Sequence, residues 1–337
     1  VATQRITFPL DATMPIPPRY SIIVPVYNRP EEVEELLQSL AVQTLKTFEV
    51  IIVEDGSSRP CLTEVERYQG QLSIQYHATP NGGPSKARNI GSQWAEGEYI
   101  VLLDSDIILP PQYIASIEQA LNSYRDKGAP LDAFGGPDAA HADFTTVQKA
   151  INYSMTSFLT TGGIRGGKKR ISHYYPRSFN LGCRTALYRE MGGFDPSMRY
   201  GEDLDFSMRL HQRGAHVQLI PEAFVYHKRR STFLQFFRQV FKFGGARVAL
   251  SRRHPHSLRP IHLLPSVATL FLILFFVGGV CTFWSWFPIG GLAFLFFFDA
   301  LVRTRSIKVA GYAVIASFTQ IFGYGLGLIR ALFDRKT

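Results

Sequence analysis

Cysteine is scarce in this chain of 337 residues: Cys61, Cys183 and Cys281 lie far apart, with no Cys-x-x-Cys pair and no metal-ligand spacing. That excludes a disulfide framework and a thiolate metal site, and points to unpaired thiols in a reducing compartment. The first nineteen residues lack the basic-then-apolar run of a secretory signal, and Pro15, Pro17 and Pro18 suggest an extended arm. The expectation is that the folded part stays in the cytoplasm. No internal repeat or low-complexity tract is evident, which argues against a solenoid. The net charge is +9, yet no helix-turn-helix, RNP or zinc-finger pattern accompanies it, so nucleic acid is not expected as a partner.

What is present is a division of character. Residues 20–230 read as a mixed soluble α/β protein, whereas residues 263–333 are mostly Leu, Ile, Val, Phe, Ala and Gly, the composition of membrane-embedded helix. Positive charge gathers at the division. Lys228, Arg229, Arg230, Arg238, Lys242, Arg247, Arg252, Arg253 and Arg259 precede the apolar region, and Arg303, Arg305 and Lys308 lie inside it. Basic residues beside apolar spans match anionic headgroups and the cytoplasmic bias of Lys and Arg, so a membrane is the expected partner.

Strand, turn and helix patterns alternate through the first part. Residues 20–27 (YSIIVPVY) are a β-branched run ending in Asn28-Arg29-Pro30, after which Val33, Leu36, Leu37 and Leu40 recur at helical spacing. Residues 48–53, 72–77 and 99–103 repeat the strand pattern, ending in Glu54-Asp55-Gly56-Ser57, Asn81-Gly82-Gly83 and Asp104-Ser105-Asp106. Pro84 and Pro111 precede further helices, and residues 217–226 read as one more strand. This alternation predicts an α/β fold with a mostly parallel sheet covered on both faces and a ligand site at the strands' carboxyl ends.

Beyond residue 230, Phe233, Phe236, Phe237, Val240 and Phe241 share one helical face, with Gln235, Arg238, Gln239 and Lys242 largely on the other. The helix either docks on the domain's own core or lies in the headgroup layer, and the bulky aromatics favour the interface, with Phe233, Phe236, Phe237, Arg238 and Phe241 as its contacts. Residues 263–287 are long enough for one span. Pro288, Gly290 and Gly291 suit a tight reversal, residues 292–302 a return leg carrying Asp299, and residues 309–333 a third span or a re-entrant piece. Two and three crossings both remain open.

The chemistry-bearing residues follow from these placements. Asp104-x-Asp106 on a tight turn can bind Mg²⁺ or Mn²⁺ through oxygen, leaving metal positions for diphosphate oxygens. Residues 81–89 (NGGPSKARN) offer glycine-rich backbone, a helix start and two cations, Lys86 and Arg88, for a diphosphate. Asp55 can bond a base or ribose. Gly201-Glu202-Asp203 opens a helix with adjacent carboxylates, and His227 ends the last strand.

In order and spacing, SIIVPVYNR at 21–29, VIIVEDGSS at 50–58, NGGPSKARNIG at 81–91, LLDSDI at 102–107, NLGCRTALYREMGGFDP at 180–196, GEDLDFSMRLHQRG at 201–214 and VYH at 225–227 resemble the family 2 glycosyltransferases. These are inverting enzymes of the GT-A fold. The resemblance implies donor contacts from Pro25, Tyr27, Asn28, Asp55, Lys86, Arg88, Asp104 and Gly182, with Asp55 at the nucleotide base. It makes Asp104 and Asp106 the DXD metal motif, His227 an additional ligand, and Asp203 the catalytic base supported by Glu202. The implied activity is transfer of one sugar from a nucleotide-sugar donor to a lipid or lipid-linked hydroxyl, by an enzyme of the inner membrane with its catalytic domain cytoplasmic. A polyprenyl-phosphate acceptor is the runner-up. A processive synthase fits less well, because Gln235-Phe236-Phe237-Arg238 is followed by Gln239 and not by the Trp of that group's Gln-x-x-Arg-Trp motif. The predicted organisation is an arm at 1–19, the GT-A domain at 20–230, an interfacial segment at 231–262 and a transmembrane region at 263–337. Residues 139–175 are expected on the acceptor side, with a mobile loop around 162–169.

Overall fold

The computed structural model describes residues 4–8, 17–161 and 174–334, so the loop expected around 162–169 lies outside the described residues. The chain divides into two compact units, one drawn from residues 1–139 and 172–227, the other from 140–171 and 228–337.

Among the described residues all strands belong to the first unit: β1 (Gln4–Phe8), β2 (Tyr20–Val26), β3 (Phe48–Asp55), β4 (Ile74–Thr79), β5 (Tyr99–Leu103), β6 (Ile107–Ile108), β7 (Ala133–Gly135), β8 (Asp138–Ala139), β9 (Asn180–Arg184), β10 (Val217–Leu219) and β11 (Val225–His227). The main sheet runs β1-β4-β3-β2-β5-β9-β7-β10. Its centre, β4 to β5, is parallel as the alternation predicts. The flanks are mixed, because β1 and β9 pair antiparallel with their neighbours.

Strand β3 is buried at all eight positions, which is why it reads as a continuous β-branched run and not as an alternating one. Its odd and even residues serve opposite faces. Val50 and Ile52 join Ile22, Val24 and Val101 in one cluster with Leu36, Leu40, Ile114 and Ile117, whereas Ile51 and Val53 join Ile23, Ile100 and Leu102 in another with Ala87 and Phe206. Removing these side chains from water, at about 25 cal/mol per Å² of apolar area, is the main force that fixes the sheet and the edge it presents.

The expected strand at 217–226 is two strands. Pro221, which cannot donate to a ladder, falls in the break, and the second piece joins a separate sheet ordered β6-β11-β8. There Ile107 lies opposite His227 in an antiparallel pair. This small sheet is what carries residue 227 to the Asp104-Ser105-Asp106 turn.

The second unit is helical: Thr146–Thr156, Phe158–Thr161, Phe233–Arg253, Leu264–Gly278, Trp286–Thr304 and Ile307–Phe333. The reversal falls at residues 279–285, earlier than expected, and Pro288 sits inside the first turn of Trp286–Thr304. A helix's first turn has no acceptor for that N–H, so proline costs nothing there. Among the described residues three stretches are long and apolar enough to cross a membrane: Pro260–Gly278, Phe283–Thr304 and Ile307–Phe333. They mark the protein as membrane-associated.

Helix Phe233–Arg253 packs along Ile307–Phe333. A Cβ at Gly327 would collide with the carbonyl oxygen of Phe241, and one at Gly244 with that of Tyr324. Such close backbone approach is the usual use of small residues between membrane helices. Phe236 is fully buried in this unit, Phe233, Phe237 and Phe241 are half-buried, and Arg238 is exposed. Asp299, at the end of the return leg, accepts hydrogen bonds from Tyr153 Oη (2.7 Å), Ser157 Oγ (2.8 Å) and Arg303 Nε (2.9 Å). The stretch at 146–157 is thereby fastened to the apolar helices.

Candidate active site

The ends of β2, β3, β5 and β11 and the starts of two helices build the site. At the end of β2, Tyr27 is 53% exposed, an aromatic face open to a ligand, while Pro25 is half-buried. Asn28 follows with φ +55°, a left-handed conformation that Asn tolerates better than most residues. Its Oδ1 accepts from Ser58 N (2.8 Å) and Arg59 N (2.9 Å), and its N–H donates to Ser57 Oγ (2.7 Å). Asn28 thus staples the β2 turn to the β3 turn.

Asp55, buried at the end of β3, is likewise used by the protein's own backbone. Oδ1 accepts from Gly82 N at 2.7 Å and Oδ2 from Gly83 N at 2.9 Å. Burial raises its pKa, opposed by these two N–H groups and by Lys86. The Asn81-Gly82-Gly83 turn is therefore fixed before helix Pro84–Trp94 begins. On that helix Lys86 is exposed, whereas Arg88 is buried, with Nη2 bonded to Asp104 Oδ1 and Nη1 3.9 Å from Glu202 Oε1. Its guanidinium also lies over the Phe194 ring, 5.7 Å from the centroid.

Asp104, Asp106 and His227 each offer one ligand atom, and these lie within 4.8 Å of one another. His227 Nε2 is 3.3 Å from Asp106 Oδ1, and Arg29 Nη1 is 2.8 Å from Asp106 Oδ2. Two carboxylates and an imidazole form a donor set that suits a hard divalent ion such as Mg²⁺ or Mn²⁺.

Glu202 and Asp203 start helix Glu202–Gln212. Asp203 Oδ2 lies 3.5 Å from Arg177 Nη1 and accepts weakly from Ser178 N at 3.4 Å. Glu202 is pushed from its ordinary 4.5 up to about 7, first by burial and next by the Asp203 charge, with Arg88 opposing. Gly182 lies in β9, where a Cβ would overlap the Phe134 ring, so packing alone requires glycine at that position. Asn89 was not singled out in the sequence, yet it clamps the 188–194 loop through Tyr188 Oη (2.8 Å), Phe194 N (2.9 Å) and Phe194 O (2.7 Å). Arg29 and Arg177 were missed as well. Arg29 stood inside a quoted motif, but nothing in the spacing of Arg177 set it apart from other surface cations.

Open α/β sheets hold ligands beyond the carboxyl ends of their strands, and Asp55, Asp104 and Asp106 lie there, in the manner of a GT-A nucleotide-sugar transferase. Known proteins agree with that class. The pattern of Glycosyl transferase family 2 matches residues 21–189, half of the chain, and that of Glycosyl transferase family group 2 matches residues 178–298. The chain belongs to glycosyl transferase family 2.

The chain is 26% identical over 295 residues to the pre-mycofactocin glycosyltransferase of Mycobacterium tuberculosis, covering 80% of this chain and 57% of that protein. It is 30% identical over 219 residues to the poly(ribitol-phosphate) beta-N-acetylglucosaminyltransferase TarS of Staphylococcus aureus, covering 62% of this chain and 35% of the other. The chain thus spans about half or less of the length of these curated relatives. Among solved structures, the mannosyltransferase PcManGT of Pyrobaculum calidifontis, in complex with GDP-Man and Mn²⁺, matches with a TM-score of 0.59 at 18% identity, covering 97% of this chain and 91% of that one. At that identity the likeness is one of fold.

Proposed function

We propose that the chain is a membrane-bound, metal-dependent, inverting transferase that moves one sugar from a nucleotide-sugar donor to a lipid or lipid-linked hydroxyl. One observation carries the reading: Arg88 ties Asp104 of the ligand set to Glu202, which adjoins Asp203, so metal site and acidic pair belong to one site. The catalytic domain faces the cytoplasm, since Arg252, Arg253 and Arg259 before the first apolar helix and Arg303, Arg305 and Lys308 after the second belong on that side.

In this mechanism Tyr27 offers its exposed ring to the nucleobase, and Asp55, by taking the N–H groups of Gly82 and Gly83, fixes the glycine turn so that the start of helix Pro84–Trp94 faces the diphosphate. Asp104, Asp106 and His227 would hold Mg²⁺ or Mn²⁺, which supplies Lewis-acid stabilisation of the leaving diphosphate. Lys86 and Arg88 add positive charge there. Asp203 takes the proton of the acceptor hydroxyl as that oxygen bonds to the anomeric carbon. The bond from that carbon to the diphosphate oxygen breaks with its electron pair, and the configuration inverts. Arg177, with Nη1 3.5 Å from Oδ2, positions the Asp203 carboxylate. A polyprenyl-phosphate acceptor is the second reading, and Arg177 favours it to the extent that a guanidinium beside the base can also bind a phosphate.

Calorimetry with Mn²⁺ tests the ligand set. Asp106→Asn is expected to weaken Mn²⁺ binding by about tenfold or more, as loss of a charged ligand does at an oxygen-rich site. Unchanged Mn²⁺ affinity would contradict the assignment. Which lipid accepts the sugar is read by offering membranes a panel of labelled nucleotide sugars and identifying the labelled product.

A further inference from the structure

Helix Ile307–Phe333 is long and apolar enough to cross a membrane, yet its neighbour constrains it. Helix Phe233–Arg253 accompanies it side by side and in the same direction. At one end the Phe233 and Tyr312 rings stack at 6.1 Å. Further along, a Cβ at Gly323 would lie 2.5 Å from Val240 Cγ2, and one at Gly244 would lie 2.7 Å from Leu328 N. Beyond those, Val248 packs with Leu328 and Ala331, and Arg252 Nη2 donates to Asp334 O at 3.0 Å. The pairing extends over the full 21 residues of the first helix, about 30 Å at the usual rise per residue.

Two helices locked in that way share one orientation. Helix Phe233–Arg253 carries Arg238, Lys242, Arg247, Arg252 and Arg253 at intervals along its whole length. A helix so charged does not cross hydrocarbon, because each cation would have to leave the headgroup region, whereas an amphipathic cationic helix lying in the interface keeps them all there. The companion helix must then lie in the same plane. Its apolar window is 44% buried, against 17% and 11% for the other two candidate spans, because it is covered from both sides: by Phe233–Arg253, and by the other two helices through Thr269 Oγ1 on Ile321 O and the Phe296 ring against that of Phe318. Those two present outward Leu270, Leu274, Phe276, Phe294 and Phe298, as helices surrounded by lipid do.

We infer that Ile307–Phe333 lies in the cytoplasmic interface beside Phe233–Arg253, that the pair forms a platform on the lipid surface, and that only the hairpin from residue 264 to residue 304 crosses the bilayer. The inference rests on the membrane-bound reading above and fixes the number of crossings at two. It also places residues 308 and 334 on the same side of the membrane, which a third crossing forbids.

The test is labelling of the full chain with a membrane-impermeant maleimide in right-side-out and inverted vesicles. Cys281, exposed in the hairpin's reversal, is the native reporter of the far face, since Cys61 and Cys183 are buried. In a Cys281→Ser background, Lys308→Cys and Asp334→Cys are examined separately. Both are expected to label only in inverted vesicles, while wild-type Cys281 labels only in right-side-out ones. Labelling of Asp334→Cys from the far face, or from neither face before detergent is added, would overturn the in-plane helix. Labelling of Cys281 from the cytoplasmic face would instead overturn the crossing hairpin, whatever the result at residue 334.

Discussion

The two units solve the same problem, bringing backbone close to backbone, by different means. In the first, β-branched and aromatic side chains drive the strands together from water, and buried acids are used as connectors: Glu49 accepts from Ser21 Oγ (2.6 Å), Gln75 Nε2 (2.8 Å) and Glu96 N (2.8 Å), and Asp55 fastens a turn. In the second, where the surroundings are as apolar as the side chains, burial gives little direction, and glycine contact with a few polar pins does the selecting. Ser266 Oγ reaches Gly325 O at 3.2 Å, Thr269 Oγ1 reaches Ile321 O at 3.0 Å, and Asp299 gathers three donors. The contrast teaches where function can be altered without loss of fold. The sheet edge is held by hydrogen bonds that surround the reacting groups, whereas the helical unit depends on single atoms of clearance.

The largest expected effect comes from that clearance. Gly327→Ala forces a methyl group onto the Phe241 carbonyl, and the thermal midpoint of the detergent-solubilised protein should fall by several degrees, in line with an overpacking cost of about 1–3 kcal/mol. Gly245→Ala meets nothing closer than 3.8 Å, and there the better helix propensity of alanine should leave the midpoint unchanged or raise it, by up to about 1 kcal/mol. Equal effects at both positions would show that clearance between backbones does not decide packing in the helical unit.

A smaller, pH-dependent effect sharpens the other side of the comparison. Glu202 has its pKa raised from 4.5 to about 7 in the folded chain. Between those values the native state binds more protons than the unfolded one, so this group's contribution to stability falls as pH rises through that window. Glu202→Gln should therefore raise the thermal midpoint most at pH 8 and hardly at all at pH 4.5. Melting curves across that range decide it, and a gain independent of pH would place the origin elsewhere.

Much of this was legible in the sequence. Strands β2, β3 and β5 appear within two residues of their predicted ends, because fully buried strands leave uninterrupted β-branched runs that proline and glycine punctuate. Asp104, Asp106 and His227 were paired on a resemblance, and the β6–β11 register supplies the physical cause of their meeting. What stayed hidden was long-range. Pairing of Arg29 with Asp106 and of Arg177 with Asp203 depends on which turns face each other, and no local period records that. The helical unit was misread at its reversal, since proline and glycine signal a turn in water but are tolerated in an apolar helix. Its inclusion of residues 146–156 was likewise invisible, for that helix's buried face looks the same whether it packs on a sheet or on another helix.

The central claim, a hydroxyl acceptor activated by Asp203, is tested most directly by Asp203→Asn once the acceptor lipid is known. The substitution keeps shape and hydrogen bonding but removes the proton acceptor. Initial rate and nucleoside diphosphate affinity are measured on the same preparation. Turnover is expected to fall by on the order of 10² to 10⁴, the usual worth of a positioned base, with the nucleotide dissociation constant barely moved. A rate within about threefold of wild type, far below a base's usual contribution, would contradict the account and point to an acceptor already ionised, such as a polyprenyl phosphate.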